Sequence, residues 1–155
     1  MVSQNARVLA LIKDLKANPT ILDYAKNIAT SIVAGTANHC AATLSALLVF
    51  YDIYPNGGGT GSGDLEAWVP TLAYDLEFRR GWIKIPKKKE ILPGDVGLVL
   101  ASATVHHIYL VIDAKDQVNL EIADNQGGGM HTRPIEGDKS KHFSPTNYFL
   151  RAPDH

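Results

Sequence analysis

The hydrophobic residues of this 155-residue chain change their spacing once, at Trp82, and this change restricts the fold more than any other feature. Before Trp82, apolar residues recur three and four positions apart, as on the buried side of a helix. After it, short apolar runs alternate with turn sequences, as in strands. Helices followed by sequential short strands indicate an α+β domain with a largely antiparallel sheet. A single domain is expected, because 45% hydrophobic residues can fill one core at this length.

Four helices are predicted in the first half of the chain. The first ends at Asn18-Pro19-Thr20, where the second begins, and Gly35 ends the second. The third begins near Cys40, runs to about Tyr54 and is apolar nearly all round, which indicates a central position. Asp64 caps the fourth. The residues expected on the buried sides of the first and fourth helices are Val8, Leu11, Ile12, Leu15, Leu65, Trp68, Leu72 and Leu76.

The second half predicts five strands joined by turns. The strand segments are 82–85, 96–100, 105–113, 117–122 and 147–151. Turn residues separate them at Pro93-Gly94-Asp95, at Ala114-Lys115-Asp116 and around Gly127-Gly128-Gly129. His131 and His142 lie in glycine- or lysine-rich sequence, so both are expected to be exposed loop residues.

The charge and the cysteine content exclude several classes of function. A net charge of −1 provides no electrostatic basis for binding nucleic acid or an anionic membrane. No apolar run approaches the length needed to cross a bilayer, and residues 1–17 mix charges into a helical pattern, unlike a signal peptide. One cysteine cannot form an internal disulfide. We therefore expect a soluble domain that is made in the cytoplasm without an export signal.

The single cysteine, Cys40, lies where a loop sequence changes into an apolar helical run. Gly35, Thr36 and Asn38 are turn and capping residues, and Ala41 to Phe50 are helix formers or buried types. Cys40 is therefore expected in the first turn of a buried helix, where unpaired N–H groups and the helix dipole favour a nucleophilic thiolate. A free cysteine is more often simply a small buried hydrophobe, and its position alone leaves that alternative open.

A cysteine hydrolase also needs an imidazole and a group that orients the imidazole. His106 and His107 are the candidates, and only one of them can face a given site because side chains alternate along a strand. The same alternation weakens a zinc site that would combine both histidines with Cys40 and His39. Asp124 or Asn125 follows the next strand and would lie near the start of its antiparallel neighbour. Spacing alone does not distinguish an orienting residue there from an ordinary Asp-Asn-Gln-Gly turn.

The order of these residues resembles the papain-like cysteine hydrolases of the NlpC and CHAP (cysteine, histidine-dependent amidohydrolase/peptidase) superfamily. In that superfamily a cysteine opens a helix packed on an antiparallel sheet, as Cys40 would here. A Leu-x-Pro-Gly-Asp turn leads into the first core strand, and Ile91-Leu92-Pro93-Gly94-Asp95 is similar to it. The catalytic histidine begins the following strand, as in His107-Ile108-Tyr109-Leu110-Val111, and a polar residue near the end of the next strand corresponds to Asp124 or Asn125.

The resemblance covers roughly Asn38 to Pro153, within which Asn147-Tyr148-Phe149-Leu150-Arg151 is similar to the closing Tyr-x-x-Arg strand of such domains. It implies a papain-like fold of the NlpC/CHAP type, with N-terminal helices packed on a largely antiparallel sheet. Residues 1–155 would form one catalytic domain, with leading helices over 1–35 and the papain-like core over 36–155. No cofactor and no metal are implied.

The resemblance also implies roles for individual residues, with the sulfur and the imidazole touching in an open groove. The catalytic residues would be Cys40 as nucleophile, His107 as proton carrier and either Asp124 or Asn125 as the residue that orients it. Oxyanion or substrate contacts would come from Asn38, His39 and Tyr109. Tyr109 replaces a residue that is usually small in the family, so it would reshape the cleft beside His107.

The implied substrate is a peptide or amide bond in bacterial peptidoglycan. Without an export signal, such a protein would reach the cell wall or periplasm as a phage lysin or as a toxin injected by a secretion system, and the second route suits a cognate immunity or inhibitor protein.

Two other classes of function stay open. One is an acyl-transfer toxin on the same fold, such as a deamidase or a transglutaminase-like enzyme. The other is a non-enzymatic binding module in which Cys40 belongs to the core. A metal-dependent hydrolase that uses the six histidines is a weaker alternative.

Overall fold

The computed structural model describes residues 1–33, 39–56, 65–101, 106–126 and 129–155. Over these residues the chain forms four α-helices and a six-stranded antiparallel sheet, so the predicted α+β class is confirmed. The helices are α1 (Gln4–Ala17), α2 (Thr20–Ile32), α3 (His39–Phe50) and α4 (Val69–Tyr74), which continues as a π-helix over Asp75–Arg79. The strands are β1 (Ile83–Pro86), β2 (Val96–Leu100), β3 (His106–Asp113), β4 (Asn119–Ala123), β5 (His131–Pro134) and β6 (Tyr148–Arg151). None of these helices combines the length and the apolar character needed to span a bilayer.

The sheet has the strand order β1-β6-β2-β3-β4-β5. Strands β2 to β5 are neighbours in chain order, whereas the closing strand β6 lies between β1 and β2. Strand β3 separates two cores. Its residues Ile108, Leu110 and Ile112 pack into the larger core that the helices share. Tyr109 and Val111 belong to a second core, as expected from the alternation of side chains along a strand.

Helix α1 confirms the buried side predicted from its spacing. Its first turn is capped by Ser3, whose hydroxyl accepts a hydrogen bond of 3.1 Å from the N–H of Ala6. The four residues that it buries are those predicted, Val8, Leu11, Ile12 and Leu15. This helix therefore covers the core with one narrow stripe and leaves its other side to solvent.

Helix α3 is buried from Cys40 to Leu48 and packs against α2 and β3, so its predicted central position is confirmed. It ends before the predicted boundary at Tyr54. Asp52 adopts a left-handed φ of 60°, and the N–H of Ile53 returns to the carbonyl of Leu48 at 3.0 Å. This pattern of bonds closes a helix end and prevents the next turn from forming.

The fourth helix begins later than predicted, and Asp64, the expected cap, lies outside the described residues. Pro70 explains the difference, because proline lacks an N–H and is accepted in the first turn of a helix but not in its interior. Trp68 is consequently extended, and its side chain, predicted to be buried, is 54% exposed. Leu72 and Leu76 are buried as predicted.

Strand β5 was not predicted, because its sequence His131-Thr132-Arg133-Pro134 has no apolar alternation. It pairs with β4 at the edge of the sheet, where Ile122 lies opposite His131 and Leu120 lies opposite Arg133. His131 is therefore part of the sheet, and its expected position in an exposed loop is wrong. His142 is exposed, as expected.

Two short motifs that are distant in the chain meet through a buried ion pair. The guanidinium of Arg151 in β6 donates hydrogen bonds of 2.8 Å to both carboxylate oxygens of Asp95, the residue before β2. Asp95 is buried and also accepts a bond from the N–H of Leu92. Gly94 has a φ of 96° in the same turn, a value that few other residues adopt. The Pro-Gly-Asp turn and the closing strand are thereby joined in the sheet.

We expect Arg151→Gln to lower the free energy of unfolding by about 3 kcal/mol, because the Asp95 carboxylate would stay buried without its cation. Lys87→Gln is the matched control, since Lys87 pairs with the exposed Glu136 and its loss should cost less than about 1 kcal/mol. Urea unfolding followed by tryptophan fluorescence measures both variants. Equal losses in the two would contradict a structural role for the Asp95–Arg151 pair.

Candidate active site

The N-terminus of α3 and the beginning of β3 bring two of the predicted site residues together. Cys40 is the second residue of α3, and His107 is the second residue of β3. The Cys40 thiol lies close enough to the His107 imidazole to raise the pKa of His107. Cys40 also lies in the first helical turn, where backbone N–H groups have no partner within the helix. A sulfur, an imidazole and the first turn of a helix therefore share one location.

Asp124 extends this contact to a third side chain. It directly follows β4, whose last residue Ala123 pairs with Leu110 of β3. The Nε2–H of His107 donates to Oδ2 of Asp124 at 2.7 Å, and the Asp124 side chain is completely buried. The side-chain oxygen of Asn125 has no hydrogen-bond partner among the described residues. Of the two alternatives that the sequence left open, the structure places Asp124 on the imidazole.

The bond to Asp124 determines which nitrogen of His107 faces the sulfur. An ionised carboxylate can only accept hydrogen bonds, so Nε2 carries a hydrogen. Nδ1 is then the nitrogen left for the contact with Cys40. A histidine oriented in this way can hold a proton beside a thiolate and later donate it.

The charges of these groups support one another. Burial opposes a charge on His107, but its hydrogen bonds with Asp124 and Cys40 outweigh that effect and raise its pKa to about 9. Burial also opposes a charge on Asp124, but the hydrogen bonds from His107 and His131 lower its pKa to about 2. At neutral pH an imidazolium thus lies between a carboxylate and a sulfur.

A second histidine, which the sequence did not predict for this site, holds the other side of Asp124. Nε2–H of His131 donates to Oδ1 of Asp124 at 2.9 Å, and the N–H of Gln126 donates to the same oxygen at 2.9 Å. The hydrogen bond to Asp124 raises the pKa of His131. The one sequence signal for this position is the run of glycines at 127–129, because glycine-rich sequence is typical of turns and a turn there would predict that His131 lies beside the end of β4.

Of the two residues next to Cys40 that were expected to contact the oxyanion, the structure describes His39. His39 is the first residue of α3, next to Cys40 in the chain, and is partly exposed. Asn38 lies outside the described residues. Their expected roles stay predictions.

Tyr109 does not line a cleft, and the expectation that it reshapes one is corrected. Its side chain is buried in the second core, and its hydroxyl shares a hydrogen bond of 2.7 Å with that of Thr146. The ring lies across Gly97, its partner on β2, where a Cβ atom would overlap it. A glycine opposite Tyr109 therefore provides the space that takes the ring into the interior. The ring centroids of Tyr109 and His107 are 6.3 Å apart, so the two rings are neighbours.

The reacting groups are more enclosed than expected. Cys40 is 4% exposed and His107 is 8% exposed, so the described residues do not form an open groove over the sulfur. Residues 34–38 and 102–105, which precede Cys40 and His107 closely in the chain, lie outside the described residues. The His107 side chain keeps 11% of its surface exposed.

A groove of about 700 Å³ lies at the C-terminal end of α3. Tyr24 and Phe50 line it with their rings 5.8 Å apart, together with Asp23 and Asn27. Among the described residues that line this groove there is no cysteine and no histidine. The chemistry-bearing residues are therefore grouped at the N-terminus of α3 and not there.

His107 and His131 both direct Nε2 at Asp124, not at a shared central position. Within the part of the chain that the structure describes, no group of three or more His, Cys, Asp or Glu side chains could hold a metal ion. No family model matches the chain, and no curated protein and no solved structure shows significant similarity to it.

Proposed function

We propose that this protein is a cysteine hydrolase that cleaves a peptide or amide bond in bacterial peptidoglycan, on a papain-like fold of the NlpC/CHAP type. The observation that carries the proposal is the continuous contact from Cys40 through His107 to Asp124. Two features of the fold support it. The cysteine lies in the first turn of a central helix, and the histidine lies at the beginning of a strand in an antiparallel sheet.

In the first step, the Cys40 thiolate attacks the carbonyl carbon of the scissile amide and forms a C–S bond. The backbone N–H of Cys40, with a group from Asn38 or His39, would bind the oxygen that becomes negative. One such donor stabilises the transition state by about 3 kcal/mol. The C–N bond then breaks, and the proton on Nδ1 of His107 passes to the leaving amine. The acyl group remains on Cys40 as a thioester.

In the second step, water attacks the thioester while neutral His107 accepts one of its protons at Nδ1. The C–S bond breaks, the carboxylic acid leaves, and the thiolate–imidazolium pair is restored. Asp124 stays ionised in both steps, keeps the hydrogen on Nε2 of His107 and stabilises the imidazolium. Its lowered pKa, about 2, suits that role.

The substrate class is inferred from the likeness to NlpC/CHAP hydrolases, in which a cysteine, a Pro-Gly-Asp turn, a histidine and a polar residue follow in this order. The bond between Asp95 and Arg151 supports the likeness, because it joins the turn motif to the closing-strand motif. We propose that the protein acts at the bacterial cell wall or periplasm after release as a phage lysin or injection by a secretion system. In the second case a cognate immunity protein would protect the producing cell.

Digestion of purified sacculi tests the proposal. Wild type and Cys40→Ala are incubated with sacculi, and the new amino and carboxyl termini are identified by mass spectrometry. New termini released by wild type alone would support the proposal and identify the bond. Intact sacculi together with rapid, selective alkylation of Cys40 by iodoacetamide would instead favour acyl transfer to another protein. A thiol that resists iodoacetamide in the native protein would make Cys40 a core residue of a binding module.

The pH dependence follows from the raised pKa of His107. We expect kcat/KM to fall as the pH rises through about 9, because the imidazolium proton needed by the leaving amine is retained below that pH and lost above it. A profile of kcat/KM measured from about pH 6 to about pH 11 checks this. An alkaline limb near pH 6.5, the ordinary value for histidine, would show that the bonds to Asp124 and Cys40 do not act on His107 in solution.

A further inference from the structure

We infer that His131 is a positioning residue, which holds the Asp124 carboxylate so that its other oxygen receives His107. Only the expected effect on kcat rests on the proposed function. Its effect on the state of His107 can be measured without a substrate.

The hydrogen bonds of Asp124 carry the inference. Oδ1 accepts from His131 and from the N–H of Gln126, both at 2.9 Å, while Oδ2 accepts from His107 at 2.7 Å. The carboxylate is completely buried, so water cannot replace a lost partner. Any rotation that moves Oδ2 away from His107 also breaks the bonds on Oδ1. His131 therefore acts on His107 through the orientation of Asp124.

His131 is itself held in place by β5 and by an aromatic ring. Its Nδ1 lies 3.3 Å from the carbonyl oxygen of Thr132, and its ring stacks on Phe143 with centroids 5.8 Å apart and planes inclined by 28°. Opposite His131 on β4 is Ile122, two residues before Asp124. An imidazole fixed by a strand and a ring can impose its orientation on a carboxylate, whereas a mobile surface histidine cannot.

Each nitrogen of His131 faces an oxygen that can only accept a hydrogen bond, one from Asp124 and one from Thr132. A neutral imidazole carries a single hydrogen and would satisfy one of them, so this geometry favours the protonated ring. The hydrogen bond to Asp124 raises the pKa of His131, in agreement with the geometry.

Among the residues that the structure describes, the positively charged groups around Asp124 come from β3 and β5. They are His107 and His131, which bond to the carboxylate, and Arg133, which attracts it without a direct bond. Arg133 is buried between the rings of Phe143 and Tyr109, at 4.6 and 5.3 Å from their centroids, and donates to the carbonyl of Ser144 at 2.9 Å. Arg133 thus keeps a positive charge near Asp124 whatever the protonation of His131. What His131 contributes in particular is a hydrogen bond that fixes the orientation of the Asp124 carboxylate.

The test compares His131→Ala with His131→Gln. Glutamine places an amide N–H close to the position of Nε2 and does not titrate, so it retains the direction of the bond without the charge. His142→Asn is the control, because His142 is an exposed histidine whose left-handed φ of 59° asparagine tolerates. The pKa of His107 is measured in each protein by NMR of isotopically labelled histidine, and kcat and KM are measured on sacculi fragments.

We expect His131→Ala to lower the pKa of His107 by about 1 or more, because a rotated Asp124 no longer stabilises the imidazolium. It should also lower kcat by about 10- to 100-fold with little change in KM. His131→Gln and His142→Asn should stay near wild type in both measurements. An unchanged pKa of His107 in His131→Ala would overturn the inference. A His131→Gln variant with the same loss of kcat and the same pKa change as the alanine variant would also overturn it.

The two proposals can fail separately. If wild type releases no termini from sacculi but His131→Ala still lowers the pKa of His107, the positioning role stands and the peptidoglycan substrate is wrong. If wild type cleaves sacculi and His131→Ala leaves His107 and kcat unchanged, the hydrolase stands and the positioning role is wrong. A lowered melting temperature with an unchanged pKa of His107 indicates a merely structural histidine and also overturns the inference.

Discussion

Cys40→Ala should lower kcat for peptidoglycan cleavage by at least about 10⁴-fold while the protein remains folded. The sulfur is the proposed nucleophile, and no other group of the described site can form the acyl intermediate. The substitution removes one buried atom, so the cavity that it leaves should cost only about 1 kcal/mol of stability. Loss of activity and retention of the fold should therefore separate clearly.

The same variant has a second readout that needs no substrate. Contact with Cys40 is one of the effects that raise the pKa of His107, so the pKa of His107 should fall in Cys40→Ala. NMR titration measures this, and near-UV circular dichroism with a melting curve checks the fold. Retained cleavage by a folded Cys40→Ala protein would end the case for this nucleophile.

Asp124→Asn should lower kcat by about 10³- to 10⁴-fold, because it moves the hydrogen of the neutral His107 ring from Nε2 to Nδ1. If the Asn oxygen keeps the bonds from His131 and Gln126, its NH₂ group faces Nε2 of His107. Nε2 must then accept, so the single hydrogen of the neutral ring moves to Nδ1. A ring with its hydrogen already on Nδ1 cannot take the proton of the Cys40 thiol, and the ion pair does not form.

Asn125→Ala is the matched control for Asp124→Asn, because it changes the neighbouring residue. We expect its kcat to stay within about threefold of wild type, since the amide of Asn125 does not hold His107. A large loss in Asn125→Ala together with a small loss in Asp124→Asn would assign the orienting role to Asn125. The kcat values of the two variants are compared at one fixed pH, on protein whose folding has been checked.

Prediction from sequence succeeded where a local signal was sufficient. The spacing of Val8, Leu11, Ile12 and Leu15 identified the buried side of α1. The residues of α3 are apolar on nearly every side of the helix, which identified it as the central helix. The turn at Pro93-Gly94-Asp95 correctly preceded β2. These features depend on residues within a few positions of one another, so their periods can be read directly.

Prediction failed where distant residues decided the outcome. Strand β5 has no apolar alternation and exists because β4 offers it a partner. The burial of Tyr109 depends on Gly97 across the sheet, and a tyrosine in isolation is equally compatible with a cleft. Trp68 is a partial exception, because Pro70 was visible in the sequence and restricts the start of α4.

The candidate site divides in the same way. Residue types and local patterns indicated a cysteine at a helix start, a pair of candidate histidines at a strand start and polar residues after the next strand, and the resemblance assigned roles to them. Packing alone selected Asp124 over Asn125, added His131 and enclosed the sulfur, because strand pairing and burial determine which side chains meet and which charges they carry. A linear sequence displays the reactive groups, whereas distances between them and the water excluded from them arise only when the sheet and α3 come together.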